Sequence, residues 1–174
     1  KKATKKKATR KKVATKKKAA KKTVKEKAVK KKTAKKAREA FLEVVKSRGG
    51  ALRNANKSLK ADREVVLEAV KRRGTVLKYA DDSLKADREF MLEAVKQDGH
   101  ALEYADDSFK ADRGFILEAV KQTGLALNFA DDSFKADREV VLEAVKENGR
   151  MLRYASEELQ QDSELQKIAE EAGD

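Results

Sequence analysis

The chain has 174 residues, with 43 Lys/Arg against 30 Asp/Glu for a net charge of +13, and it contains no cysteine and no proline. That length suffices for one cored domain plus a tail. Disulfides, thiolate metal sites and proline-built linkers are excluded, and a reducing intracellular compartment fits. No apolar run approaches the roughly 20 residues of a membrane span, and the N-terminus has no apolar signal core, so no membrane contact is expected.

The charge is divided along the chain. Residues 1–38 hold 21 Lys/Arg and one acid, Glu26, for +20, while 39–174 sum to −7. Lys1 is taken as the start of a processed product or of a piece of a longer array.

The first element in chain order is a polybasic tail, expected over 1–35 and built from Lys, Ala and Thr. Val13, Val24 and Val29 are its only larger apolar residues, too few to offset the entropy of ordering, so it is predicted to be disordered when free. The basic clusters recur about every five residues, a spacing that scatters them around a helix rather than along one apolar-backed stripe, which argues against a membrane helix. The residues expected to contact DNA or RNA are Lys5, Lys6, Lys7, Arg10, Lys11, Lys12, Lys16, Lys17, Lys18, Lys21, Lys22, Lys30, Lys31, Lys32, Lys35 and Lys36. They would do so by neutralising phosphates, because the tail has no aromatic, Asn or Gln with which to stack on or read a base. Thr4, Thr9, Thr15, Thr23 and Thr33 lie among these lysines, and phosphorylation there would weaken anion binding.

From 36 onward the chain is a 25-residue repeat, with copies at about 36–60, 61–85, 86–110, 111–135 and 136–160 and a capping segment at 161–174. Within a copy, Asp62, Asp87, Asp112 and Asp137 precede an apolar run and are predicted N-caps. Val65, Val66, Ala69 and Val70 fall at helical spacing, giving a first helix of about eleven residues. Gly74, Gly99, Gly124 and Gly149 are read as left-handed C′ stops. A second, shorter helix is expected to follow, partly 3₁₀, through Leu77, Ala80 and Leu84. One such hairpin cannot bury its own apolar face, so the prediction is an all-α solenoid of two-helix repeats. The ends differ from the middle. Ala37 replaces the Asp cap and Asn54 the aromatic residue found at Tyr79, Tyr104, Phe129 and Tyr154, and Leu165, Ile168, Ala169 and Ala172 form a last amphipathic helix.

The recurrence of L-K-A-D-R-E-V-V-L-E-A-V-K with a glycine three residues on resembles a tandem helical repeat family of unknown function found in protists, algae and bacteria. The resemblance spans roughly 36–165 and implies the fold but no activity. The tail resembles the Lys/Ala/Thr-rich tails of linker histones and bacterial histone-like proteins, which implies sequence-blind nucleic-acid binding.

Other chemistry is weakly indicated. Asp81, Asp82 and Asp87 recur as 106/107/112 and 131/132/137, but without EF-hand spacing or its central glycine, so no metal is expected. These paired acids are an alternative landing place for a basic segment, the tail included. His100 occupies a slot filled elsewhere by Gly50, Thr75, Leu125 and Arg150. Ser83, Ser108 and Ser133 have no base nearby and are expected to bond locally. The aromatic set reads as core. No catalytic residue, cofactor or small-molecule substrate is expected.

Charge also falls along the array, from +3 over 39–60 and +1 over 61–85 to −4 over 86–110, so Lys71, Arg72 and Arg73 are a possible extension of the basic surface. The expected function is therefore non-enzymatic: a tail that binds DNA or RNA without sequence preference, and repeats that act as a scaffold for a protein partner. Two alternatives stay open. One is a protein–protein scaffold whose tail directs import or pairs with acidic surfaces; the other is a structural component of a large ribonucleoprotein. The expected location is nuclear or nucleoid-associated, or else an organellar or cytoplasmic ribonucleoprotein.

Overall fold

The computed structural model describes residues 26–173. They divide into two compact units, one ending at Phe41 and one beginning at Leu42. Residues 26–47 are helical (α1). Residues 26–35, expected within the tail, are helical here. One expectation is corrected: Ala37 is no failed cap, because no helix starts there. The composition explains both. Between 26 and 47 there is neither Gly nor Pro, and Lys and Ala rank among the good helix formers. Thr33 is accommodated by donating its hydroxyl to the carbonyls of Val29 (3.1 Å) and Lys30 (2.9 Å). The expected tail over 1–25 lies outside the described residues.

In the second unit each repeat is a long helix, a six-residue 3₁₀ helix and a four-residue helix, where two helices were expected. The long helices are α3 (Arg63–Val70), α5 (Arg88–Gln97), α7 (Arg113–Gln122), α9 (Arg138–Glu147) and α11 (Ser163–Glu171). The 3₁₀ segments are η1 (Gly49–Asn54), η2 (Gly74–Tyr79), η3 (Gly99–Tyr104), η4 (Gly124–Phe129) and η5 (Gly149–Tyr154). The short helices are α2 (Lys57–Lys60), α4 (Asp82–Lys85), α6 (Asp107–Lys110), α8 (Asp132–Lys135) and α10 (Glu157–Gln160). No strand occurs among the described residues, and the architecture is an all-α solenoid.

The 3₁₀ segments follow from a period of three in the sequence. Gly74, Leu77 and Ala80 are buried, and so are their counterparts in the other copies, such as Gly99, Leu102 and Ala105. A helix with three residues per turn puts all three on one inward line, which an α-helix does not.

The expected caps are present. The carboxylates of Asp62, Asp87 and Asp112 accept from the amides of Val65 (3.2 Å), Phe90 (2.8 Å) and Phe115 (2.9 Å). Asp137 accepts from Glu139 and Val140, and Asp162 from Glu164 and Leu165. Behind each cap an apolar stripe closes: Phe115, Ile116, Ala119 and Val120 of α7 are fully buried, and Phe90, Met91, Ala94 and Val95 of α5 match them. Each large side chain so buried contributes about 1.5–3 kcal/mol relative to leaving it exposed. Long helices contact the long helices of adjacent copies, and 3₁₀ segments contact adjacent 3₁₀ segments, so the core is continuous through the array. A backbone bond repeats with it. The second residue after each of η2 to η5 donates its amide to the end of the preceding short helix: Asp81 to Lys60 (2.9 Å), Asp106 to Lys85 (3.1 Å), Asp131 to Lys110 (3.3 Å) and Ser156 to Lys135 (2.8 Å).

The glycines depart from expectation. No described glycine has positive φ, so none is a left-handed stop. Those that open the 3₁₀ segments, such as Gly74, Gly124 and Gly149, serve close approach between copies. A Cβ on Gly124 would stand 2.6 Å from the Ala144 carbonyl oxygen and 2.9 Å from Met151 Cγ, whereas one on Gly50 would meet nothing within 4 Å. Gly124→Ala is therefore expected to lower stability by about 1–3 kcal/mol through overpacking against backbone. Gly50→Ala should be neutral or slightly stabilising, by up to ~1 kcal/mol. Urea midpoints of the two variants check this, and equal effects would show that close approach is not what the glycine serves.

Candidate interaction surface

The side chains left outside the core form three rows, each repeating once per copy. The first is an ion-pair ladder. Arg63 meets Asp87 of the next copy at 3.2 Å, Arg88 meets Asp112 at 3.5 Å, Arg113 meets Asp137 at 2.7 Å and Arg138 meets Asp162 at 3.1 Å. A glutamate adds a second anchor: Glu93 for Arg63 (3.6 Å), Glu118 for Arg88 (3.1 Å), Glu139 for Arg113 (2.5 Å) and Glu164 for Arg138. The guanidinium groups of Arg63 and Arg88 also lie over the rings of Phe90 (5.3 Å) and Phe115 (5.2 Å). Each aspartate therefore caps its own helix with one oxygen and receives the previous copy's arginine as well. This ladder was missed in the sequence, although the Asp-Arg pair at a strict 25-residue spacing was visible there.

The electrostatics follow. The Arg113 guanidinium holds the Asp137 carboxyl below its ordinary value, with the amides of Val140 and Glu139 helping and partial burial opposing. Asp137 and then Glu139 raise Arg113 in turn. At Asp162 the Leu165 amide acts first and Arg138 second, in the same downward direction.

The second row is acidic and lies on the short helices. The Asp82, Asp107 and Asp132 side chains are 96, 97 and 94 % exposed, and each pairs with the lysine three residues on, at 2.9, 3.1 and 2.8 Å. Beside them Asp81, Asp106 and Asp131 accept from the amides of Ser83, Ser108 and Ser133. The Ser83 and Ser108 hydroxyls donate to the same oxygens at 2.7 and 2.6 Å, the local bonding expected of these serines. Those serine bonds lower all three carboxyls. In this triad each acid has a separate local role: Asp81 caps α4, Asp82 pairs with Lys85, and Asp87 caps α5 and takes Arg63.

The third row is aromatic and lies on the 3₁₀ segments. Phe90 and Phe115 are core, but Tyr79, Tyr104, Phe129 and Tyr154 are only half-buried, which corrects the reading of the whole aromatic set as core. They follow the inward Leu by two positions and sit one turn beyond the buried Val76, Ala101, Ala126 and Met151. His100 borders this row, its ring 5.6 Å from Phe129 of the next copy. The His100 ring also meets Asp98 at 2.8 Å, and Asp98 accepts from the Gly74 amide of the preceding copy at 2.5 Å. Burial pushes the Asp98 carboxyl up, and the bonds from Gly74 and His100 more than reverse this, so it lies below its ordinary value.

The expected nucleic-acid contacts are divided by what is described. Lys5, Lys6, Lys7, Arg10, Lys11, Lys12, Lys16, Lys17, Lys18, Lys21 and Lys22 lie outside the described residues. Lys30, Lys31, Lys32, Lys35 and Lys36 are exposed on α1. At about 100° per residue, Lys31, Lys32, Lys35 and Lys36 share an arc of roughly 140°, a tighter grouping than the spacing suggested. Lys35 pairs with Glu39 at 3.9 Å. Lys71, Arg72 and Arg73 are exposed where α3 ends, and Lys71 pairs with Glu68 at 2.5 Å. Two surface hollows of about 390 and 420 Å³ are lined mostly by charged and amide side chains, among them the mutually paired Arg63 and Glu93.

The pattern of the family described as Domain of unknown function (DUF4116) matches residues 38–85, 62–110, 87–135, 112–160 and 137–169. The chain belongs to this family. Each of the first four matches covers about two periods, and successive matches start 24 or 25 residues apart. The matches over 62–110, 87–135 and 112–160 each contain one complete junction between copies with its Arg–Asp pair. No curated protein and no solved structure matches the chain.

Acid should loosen the ladder. A carboxyl held below its ordinary value contributes stability that is complete above its unfolded pKa of about 4 and is lost as pH falls through the folded value. Asp137→Asn keeps the cap but not the charge, so its denaturation midpoint should depend less on pH between about 5 and 2 than that of the parent. Asp137→Ala should lose a further ~1 kcal/mol at neutral pH with the cap. If both variants follow the parent's acid profile, the pairing does not act on stability.

Proposed function

We propose that this chain is a non-catalytic binding protein in which the polycationic N-terminal segment holds DNA or RNA by charge and the DUF4116 array is a scaffold for a protein partner. The observation that carries the reading is the partition of charge: residues 1–25 contain 14 Lys/Arg and no acid, and the body beyond 38 is net negative. The exposed lysines of α1 support it by continuing the cationic run into ordered structure. Support for a binding rather than catalytic role comes from the occupations of the polar side chains. The capping aspartates, the serines and His100 are engaged in helix starts, ion-pair and ring contacts. The exposed acids of the short helices suit a basic protein partner, and that edge changes from Lys57 in the first copy to Asp82, Asp107, Asp132 and Glu157 in the later ones.

Filter binding of the full chain to duplex DNA and to RNA across a salt series tests the proposal. If about ten phosphates are neutralised, log affinity should fall with log salt at a slope near −9 on duplex DNA. Replacing the Lys/Arg of 1–36 by Gln, which retains good helix propensity, should abolish binding at about 150 mM salt. If neither nucleic acid binds the unaltered chain at that salt, the proposal is wrong.

A further inference from the structure

The 3₁₀ segments carry an outward pattern that their structural role leaves unused. Two of their inward positions are the same in every copy, Leu52, Leu77, Leu102, Leu127 and Leu152, then Ala55, Ala80, Ala105, Ala130 and Ala155, while a third varies only among apolar residues, as Val76, Ala101, Ala126 and Met151. Their outward positions change, through Gly50, Thr75, His100, Leu125 and Arg150 and through Arg53, Lys78, Glu103, Asn128 and Arg153. The half-buried aromatic row stands among these varied positions. Consecutive 3₁₀ segments touch, and the His100–Phe129 contact joins one copy's varied slot to the next copy's ring, so the row is one continuous strip.

The strip carries net positive charge, concentrated at its two ends, within a body that is net negative. The five 3₁₀ segments hold Arg53, Lys78, Arg150 and Arg153 against the single acid Glu103, within a body whose net charge is −7. Lys78 sits 5.2 Å from the centre of the Tyr79 ring and Arg153 4.7 Å from that of Tyr154. At Tyr104, burial and then the neighbouring Glu103 push the phenol up, with Arg73 of the preceding copy opposing them.

We infer that this strip is a binding platform for single-stranded nucleic acid, with cations taking the phosphates and the aromatic side chains stacking on splayed bases. Rings flanked by cations are the combination that sequence-tolerant single-strand sites use. Packed helical elements stand about 8–10 Å apart, so one ring per copy suits a splayed strand. A duplex, with bases stacked about 3.4 Å apart, keeps their faces from such rings. An acidic peptide would satisfy the cations but leave the rings without their partners. The inference rests on the proposed nucleic-acid role and extends it, since the tail has no side chain that stacks.

Tyr79, Tyr104 and Tyr154 are the only tyrosines in the chain, so a tyrosine signal reports on this strip alone. The full chain carrying 3-fluorotyrosine should give three fluorine resonances, assigned with Tyr79→Phe, Tyr104→Phe and Tyr154→Phe. At about 150 mM salt, a short oligothymidylate should shift or broaden them. A duplex of similar length and a polyglutamate should leave them in place, even where anisotropy shows binding through the tail. The variant Tyr79→Ala/Tyr154→Ala should bind oligothymidylate about tenfold or more weakly and the duplex unchanged. If oligothymidylate binds and the resonances do not move, or if polyglutamate moves them equally, the platform is refuted and the tail's role stands. If neither nucleic acid binds, both fall.

Discussion

Shared burial is the constraint from which the rest of this structure follows. A long helix such as α7 buries Phe115, Ile116, Ala119 and Val120 completely, and it does so by packing against α5 on one side and α9 on the other. A single 25-residue copy has too little apolar surface to close a core by itself, so the stable object is the stack. In α11, which has a long helix on one side only among the described residues, Leu165 is fully buried while Ile168 and Ala169 are half covered.

Apolar burial is not directional, and a stack of near-identical copies needs something to fix its register. The directional interactions lie at the junctions. The backbone bond from the second residue after a 3₁₀ segment to the end of the previous short helix recurs from Asp81 to Ser156. The arginine ladder recurs from Arg63 to Arg138 at the same 24-residue offset. Solvent screens these partly exposed pairs, so they add less to stability than the core does. What they provide is orientation: an aspartate already fixed by helix amides accepts a planar guanidinium from one direction. Close contact at the glycines acts in the same sense, because the fit of Gly124 on the Ala144 carbonyl tolerates little sliding.

With the core and register fixed in this way, the outward positions are free to differ, and they divide the array into unlike rows. The short helices present acids alongside lysines, the long helices present the ladder, and the 3₁₀ segments present half-buried rings among changing neighbours. A scaffold of this kind separates the residues that make the fold from those that meet a ligand. In the 3₁₀ segments the two sets alternate within six residues: Leu102 faces in while Glu103 and Tyr104 face out. The proposed division of labour, with sequence-blind phosphate binding by the tail and single-strand stacking added by the strip, uses this separation.

By itself the sequence determined the repeat, its phase, the aspartate caps and the apolar stripe, because each is written in residue types at fixed spacing and decided within one or two turns of chain. It also determined the charge partition, which needs no folding at all. The tertiary structure alone decided the rest. Whether Gly74 and its equivalents turn the chain or let two backbones approach depends on what stands opposite, and the structure places the next copy there. Whether the second half of the repeat winds with three residues per turn, so that Gly74, Leu77 and Ala80 share one inward line, depends on what it packs against. The helix running through Ala37 had no stop signal, and absent stops are harder to read than present ones. The partner of Arg113 lies 24 residues away, a distance that no local rule spans and that only stacking brings to 2.7 Å.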